Sequence, residues 1–446
     1  MRHILARLLS GAFVRRLGVV SGLTLVSRLS GFIRDIALAA VLGNGVVADV
    51  FFVALRLPNH FRSIFAEGAF NAAFVPTYTA TLTTEGEEAG RRYAGRVLTA
   101  LLVVQLVVLV TAELFMAPFV DLMAPNYGTG TEYGPLAVTL TRITFPFLAC
   151  VTLVTLVSGV LNAHQRFAAA AFAPVLFNLG TIAGLALTPL FPTASHAAAV
   201  GVTLSGFAQI GLIWWVAARA GILPRFEAFR LDPPVRTFLR RLGPALIGSG
   251  TAQIAIFADT ILAASLPTGA LSALYYADRL YQLPIGVLAV AIGTVLLPEL
   301  SARYAKGDLA GARRARRRAI LLGFAVTVPF VIAFAAFAEP IIRLVFGHGA
   351  FRVEEAGRAG LTLAAYALGL PAVVALRPLV AGFQAQGDTR TPMYVALVVV
   401  AANVVAKIIL TGFIDVGGLA LGTSLAAWAN FATLWLILEK REARRS

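Results

Sequence analysis

Residues 93–117 read YAGRVLTALLVVQLVVLVTAELFMA, and between Arg96 and Glu113 no residue carries a charge. Wound as a helix at about 1.5 Å per residue, such a run covers the roughly 30 Å of a bilayer's hydrocarbon core. Eleven more apolar runs fall near 17–42, 47–82, 134–163, 168–190, 196–220, 236–266, 269–304, 317–347, 355–386, 391–412 and 416–438. The chain is 59% hydrophobic and 13% charged, against about 45–50% and about 25% for a soluble domain. The pattern predicts an all-α polytopic membrane protein with about twelve transmembrane helices.

The connections are short, none longer than about 25 residues, which leaves no room for a soluble catalytic or nucleotide-binding domain. No phosphate-binding G-x-x-x-x-G-K-S/T, H-E-x-x-H or G-x-S-x-G string occurs either. The single cysteine, Cys150, lies in an apolar run and reads as packing. A disulfide framework is excluded. His60, His164 and His196 lack metal-ligand spacing, and no cofactor is implied.

The 37 Lys and Arg against 22 Asp and Glu give a net charge of +15. In a soluble protein that balance would raise nucleic-acid binding, but here the positions of the charges decide. With the N-terminus placed in the cytoplasm, the alternate connections that face inward hold 26 basic residues, and those facing outward hold Arg343, Arg352 and Arg358. Basic residues in short loops stay on the cytoplasmic side, so both termini are expected there. Arg2, Arg7, Arg15 and Arg16 precede a first helix that itself contains Arg28 and Arg34, which fits an uncleaved helix rather than a signal peptide. The run RRARRR at 313–318 is expected to fix topology and meet anionic headgroups.

An offset of about 223 residues recurs along the chain. FVALRL at 52–57 matches YYADRL at 275–280, FVP at 74–76 matches LLP at 296–298, GVLNAHQ at 159–165 matches GFQAQGD at 382–388, and Asn178 falls on Asn403. Two six-helix lobes in parallel repeat, 1–222 and 223–446, follow from this spacing. Their common orientation places a pseudo-twofold along the membrane normal, and a central cavity between lobes is where such transporters bind cargo.

The remaining basic residues lie inside expected spans. An Arg at a helix centre costs about 2.5–3.5 kcal/mol on insertion scales and needs a partner or a wet cavity. The first helix carries Arg28, Arg34 and Asp35 around Gly31, with Arg28 and Asp35 on one face and a kink expected at the glycine. The second carries Asp49, Arg56, Arg62 and Glu67 around Pro58. Asp278 and Arg279, followed by Pro284, repeat the device in the eighth helix. The surplus is positive, which points to an anionic ligand, and arginine grips phosphate through a planar two-pronged fork. Arg28, Arg34, Arg62 and Arg279 are therefore expected to form a diphosphate clamp, with Asp35, Asp49, Arg56, Glu67 and Asp278 as cavity or gating charges. In the second lobe Asp259 and Arg377 are expected to pair with each other, with a coupling-ion role for Asp259 as the alternative. Arg142 and Lys407 are expected to snorkel or pair.

SRLSGFIRD, ADVFFVALRLPN, RSIFAEGAFNAAFVP, ITFPFL, LNAHQRF, YYADRL and GTVLLPELS, in this order between residues 17 and 438, resemble the bacterial lipid II flippase family MurJ (MviN) of the MOP exporter superfamily. The resemblance implies a MOP/MATE-like fold whose lobes alternate between inward-open and outward-open states. It implies a non-enzymatic flippase in the bacterial inner membrane, serving peptidoglycan synthesis, cell wall biogenesis and cell shape. The cargo it implies is lipid II, the undecaprenyl-diphosphate-linked precursor. It also places the family's central arginines on Arg28, Arg34, Arg62 and Arg279 and its acidic positions on Asp49, Glu67 and Asp278. The family usually adds two C-terminal helices that hold the polyprenyl tail, and this sequence stops after the twelfth span. Membrane lipids, a coupling cation or the membrane potential are the further partners expected. The rival readings are another exporter of the superfamily, whether a polysaccharide-lipid flippase or a drug antiporter, and a membrane-embedded transferase acting on a lipid diphosphate. A drug antiporter would want an acidic, aromatic pocket, and a transferase would want clustered acids for Mg²⁺. Neither is in the sequence.

Overall fold

The computed structural model describes residues 11–63 and 70–443, with side chains described except over 11–17, 247–252, 287 and 289–295. Among the described residues there are seventeen α-helices and no strand. They are α1 Gly11–Leu42, α2 Val46–Arg62, α3 Phe70–Glu85, α4 Glu87–Leu114, α5 Met116–Met123, α6 Gly134–Thr144, α7 Pro146–Ala163, α8 Phe167–Ala186, α9 Ala194–Arg219, α10 Pro233–Ala264, α11 Ala270–Ala305, α12 Leu309–Ala336, α13 Ala338–Phe346, α14 Ala356–Ala367, α15 Leu370–Ala385, α16 Arg390–Ile414 and α17 Val416–Ala443.

Among the described residues, eight helical segments are long and apolar enough by themselves to cross a membrane. They correspond to the third to sixth and ninth to twelfth expected spans. The other four, the opening pair of each half, are helical where the structure describes them and carry ionisable side chains. These include Arg28, Arg34 and Asp35 in α1, Arg56 and Arg62 in α2, Arg240, Arg241 and Asp259 in α10, and Asp278 and Arg279 in α11. Charges inside a bilayer need partners or water, and in α11 they are confined to the ends, because residues 280–298 form an uncharged, largely apolar run. By contrast α4 turns Val103, Leu106, Val107 and Val110 outward, as lipid-facing residues should be, while Gln105 is buried and donates to Thr152 Oγ1 at 3.2 Å.

The chain forms two compact units, Met1–Leu42 with Val50–Ile256, and Gly43–Asp49 with Phe257–Ser446. The boundary thus falls inside α10 and not near residue 222. Ile222, Val235 and Phe238 pack in the first unit's core against Phe70, Phe74 and Tyr93, and a side chain at Gly95 would run into the Arg225 carbonyl. The two ends of the connection after α9 are therefore packed into this unit, while residues 225–231 between them are mostly exposed. At the centre of this core Phe70, Phe74 and Tyr78 follow one another at i, i+4 along α3, and Phe74 stacks on Tyr93 of α4 at 5.5 Å.

Small residues set the helix spacing in the first unit. Gly180 and Gly184 of α8 face Gly201 of α9, and a Cβ at 184 would strike the Ala197 carbonyl. Contact between helices in lipid relies on such close backbone approach because no hydrophobic drive separates side chains from lipid tails. Gly31 plays the same part between α1 and α8, where its missing side chain seats the Asn178 amide 3.5 Å from a Cβ position. No break follows at Gly31, because α1 is continuous through it.

In the second unit Ile320, Ala375, Leu379, Phe383, Leu434 and Leu438 form the main buried cluster. At the cytoplasmic end expected from the charge pattern, the RRARRR run is not a freely solvated face. Arg316 is fully buried and its Nη2 donates to Glu442 Oε2 at 2.8 Å, while Arg313 and Arg317 both meet Glu439. Tyr304 donates to Glu442 Oε1 at 2.8 Å. The run ties α12 to α17.

Candidate functional site

In the first unit the polar residues of α1 are built around Asn178 of α8. The Asn178 amide donates to the Ser27 carbonyl at 3.0 Å and to Ser30 Oγ at 2.9 Å, and its Oδ1 accepts from Arg34 Nη1 at 2.9 Å. The same guanidinium donates through Nε and Nη2 to Asp35 Oδ1 at 3.0 and 2.6 Å and lies 5.1 Å from the Phe177 ring centre. Arg34 is 8% exposed and Asp35 3% exposed. Asp35 thus takes its sequence neighbour and not Arg28, the residue on its own face. Arg28 is exposed, and among the described residues it has no ion pair.

The second helix shows how its proline is accommodated. Pro58 has no N–H, so the carbonyl four residues back, that of Ala54, loses its helical donor. Thr144 at the end of α6 supplies one, its Oγ1 donating to the Ala54 oxygen at 2.7 Å. In a membrane such substitutes are what make an internal proline tolerable. Just beyond, Arg62 Nε donates to Asn59 Oδ1 at 3.0 Å. Arg56 is half-buried one turn before His60. Glu67, expected among the gating charges, lies outside the described residues.

Asp49, fully buried, belongs to the second unit. Its Oδ2 accepts the Gly269 N–H at 2.6 Å and its Oδ1 the Ser272 N–H at 2.7 Å. These are first-turn amides of α11, whose own cap residue is Gly269, held at φ 89° with no side chain to offer. A carboxylate there satisfies orphan donors and meets the positive end of the helix dipole. The turn leading into α2 is held on the same side. Tyr276 donates to the Gly43 carbonyl at 2.7 Å, Ser272 Oγ to the Asn44 carbonyl at 3.0 Å, and Asn44 exchanges two 2.9 Å hydrogen bonds with the backbone of Arg352.

Farther along α11, Arg279 is half-buried and lies over the Tyr275 ring at 4.6 Å, while Asp278 accepts from Gln282. Asp259 does not meet Arg377. Its Oδ1 accepts from Lys407 Nζ at 2.5 Å, whereas Arg377 is exposed and, among the described residues, unpaired. Lysine's long stem lets α16 reach the acid, a reach that the spacing of residues along one helix does not reveal. Among the described residues no group of His, Cys, Asp and Glu is gathered in a way that would hold a metal ion.

Two arrangements escaped sequence reasoning although a signal existed for each. The G-x-x-x-G spacing of Gly180 and Gly184 marks close helix contact in membranes. Glu439 and Glu442, acids three apart near the end of the last span, were the natural partners for RRARRR.

The family model of the lipid II flippase MurJ matches residues 38–445. This chain belongs to the MurJ family. A probable lipid II flippase MurJ of Rhizobium meliloti is 41% identical over 95% of this chain and 81% of its own. Among solved structures, the lipid II flippase MurJ in an inward closed conformation superposes with a TM-score of 0.80 at 26% identity, covering 94% of this chain and 87% of that one. An inward-facing multidrug resistance MATE family transporter of the MOP superfamily gives 0.76 at 17% identity over 96% and 98%. At that identity the likeness to MATE concerns the fold alone. MurJ membership makes this a multi-pass membrane transporter rather than an enzyme, with the MOP fold expected from the sequence.

Proposed function

We propose that this protein carries lipid II from the cytoplasmic to the outer leaflet of the bacterial inner membrane, with both termini in the cytoplasm. The family match over residues 38–445 is the observation that carries the reading. The excess of basic side chains within the opening helices of each half supports it, because the cargo's diphosphate is the anion that such side chains would bind.

In this reading Arg28 and Arg62 of the first unit and Arg279 of the second grip phosphate oxygens through charge-assisted hydrogen bonds. Arg34, already committed to Asp35 and Asn178, holds α1 on α8 and completes the field of positive charge. Asp49 secures the start of α11, Asp278 tempers the charge beside Arg279, and Arg56 adds a basic side chain to α2. Binding the diphosphate neutralises the guanidinium groups it meets and so lowers the cost of enclosing them. An inside-negative potential favours outward movement of the anion by about 2.3 kcal/mol per charge per 100 mV when the full field is crossed. No covalent bond is made or broken.

The test is exposure of lipid II on the outer leaflet in cells depleted of their own flippase. The wild-type chain restores exposure, and Arg28→Ala and Arg279→Ala, checked for equal membrane abundance, do not. Failure of the abundant wild-type protein would refute lipid II as the cargo, and full activity of both variants would refute the arginine assignment.

A further inference from the structure

A carboxylate inside a transmembrane bundle is stable only with a counter-charge, and that charge is either part of the protein or borrowed from solution. Asp259, whose side chain is 16% exposed, therefore raises a definite question about the energetics of transport, since a carboxylate within a helical bundle is the donor chemistry of a monovalent-cation site. Lys407 provides the answer.

α16 is otherwise among the most exposed helices, turning Val398, Val405, Ile408, Ile409 and Phe413 outward. Among the described residues of α16, only Asn403 and Lys407 are buried, and they lie one turn apart. The Lys407 side chain is 1% exposed, and its ammonium touches Asp259 at 2.5 Å. Its stem has a purpose-shaped slot. A Cβ at Gly422 of α17 would come within 2.6 Å of Lys407 Cγ and 3.3 Å of Asn403 Oδ1. Among the described residues no donor reaches that buried Oδ1. A lysine that merely snorkelled would carry its head to the interface, whereas this one is buried to its tip.

The internal repeat makes the same point. Arg34 and Asp259 are 225 residues apart, as are Asn178 and Asn403. In the first unit the opening helix brings a base to the asparagine-bearing helix, and in the second it brings an acid, which takes a base from one turn beyond the asparagine. The joint is repeated with its polarity reversed, and in each unit it is neutralised from within.

We propose that the Lys407 ammonium is a built-in counter-cation for Asp259, so that this carboxylate takes up no sodium or potassium ion and the transport cycle draws on neither ion there. The inference is independent of the cargo.

The test is thermal unfolding of the purified full chain in detergent, in sodium, potassium or choline chloride at equal ionic strength. Wild type should unfold at the same temperature in all three. Lys407→Gln, which leaves Asp259 and the Asn403 oxygen facing an empty slot, should unfold several degrees lower in choline and recover saturably with sodium or potassium, as a bound ligand requires. Asp259→Asn/Lys407→Gln should fold and be indifferent to the cation. Stabilisation of the wild type by sodium or potassium over choline would overturn the proposal, as would a folded Lys407→Gln protein that ignores the cation. If Lys407→Gln alone fails to fold, the double variant decides, because removing the stranded carboxylate should restore folding, and failure to do so would refute the pairing.

Discussion

The Ser272 N–H donates to Asp49 Oδ1 at 2.7 Å across 223 residues of chain, which is the offset at which FVALRL matches YYADRL. Asp49, in the first turn of α2, thus caps α11 within the second unit. Gly269 cannot cap α11 itself, so Asp49 holds two buried amides that otherwise have no acceptor. Asp49→Ala should cost about 2–4 kcal/mol, since each unsatisfied buried donor costs about 1–3 kcal/mol. Asp49→Asn, which keeps one acceptor, should lose less. Chemical or thermal unfolding of the two variants in one detergent checks the order, and equal losses would count against the capping role.

Arg28 and Arg34 lie six residues apart on one helix, yet their substitutions should separate cleanly. Arg28 is exposed and unpaired among the described residues, so Arg28→Ala should leave unfolding unchanged while abolishing lipid II exposure. Arg34→Ala strands the buried Asp35 and the Asn178 oxygen and should destabilise by about 3–5 kcal/mol before any effect on transport is considered. Parallel melting and flipping assays distinguish the two, and a stable Arg34→Ala protein would show that the Asp35 and Asn178 contacts do not hold α1 in place.

Much of this architecture was legible because membrane constraints write themselves into composition. Among the described residues the expected spans coincide with helices, and the opening pair of each half carries charges within it. The pairing of charges was not legible. Asp259 met Lys407 instead of Arg377, because long side chains choose partners by helix packing, which periodicity along one helix does not encode. The same limit hid the assignment of Gly43–Asp49 to the second unit, which depends on hydrogen bonds spanning more than two hundred residues.

The α8–α9 contact depends on atoms that are absent. Gly184→Leu or Gly201→Leu would drive a side chain into a carbonyl or a facing glycine backbone, neither of which can rotate away. We expect a loss of about 3 kcal/mol or more, seen as low yield and an early melting transition. Gly211→Ala, on the same α9 but with open space around its Cβ position, is the control and should behave as wild type.

Arg316 should be irreplaceable by lysine. Its fork engages Glu442 with both terminal nitrogens and reaches Glu439 at 3.2 Å, and the residue has no exposure to water. Arg316→Ala takes from buried Glu442 its guanidinium partner, leaving Glu439 to Arg313 and Arg317, with an expected loss of about 3–5 kcal/mol. Arg316→Lys restores charge but not the fork, so it should recover only part of that loss. Unfolding measurements on the two variants, with Arg314→Ala as a control at another position of the run, test this, and full rescue by lysine would show that charge alone holds α12 to α17.

Asp388 gives stability a particular dependence on pH. In the connection before α16 its carboxylate accepts the Thr391 hydroxyl at 2.6 Å and the Thr391 N–H at 2.9 Å, with Arg441 Nη1 alongside. These hydrogen bonds, and then the arginine, hold its pKa well below the ordinary 3.8. A carboxyl that is harder to protonate folded than unfolded adds stability that is complete above the unfolded value and is lost as pH falls through the window below about 4. Wild type should therefore lose melting temperature more steeply below about pH 4 than Asp388→Asn, which starts lower at neutral pH and stays flatter in acid. Parallel curves for the two proteins across that range would mean that Asp388 contributes no such linkage.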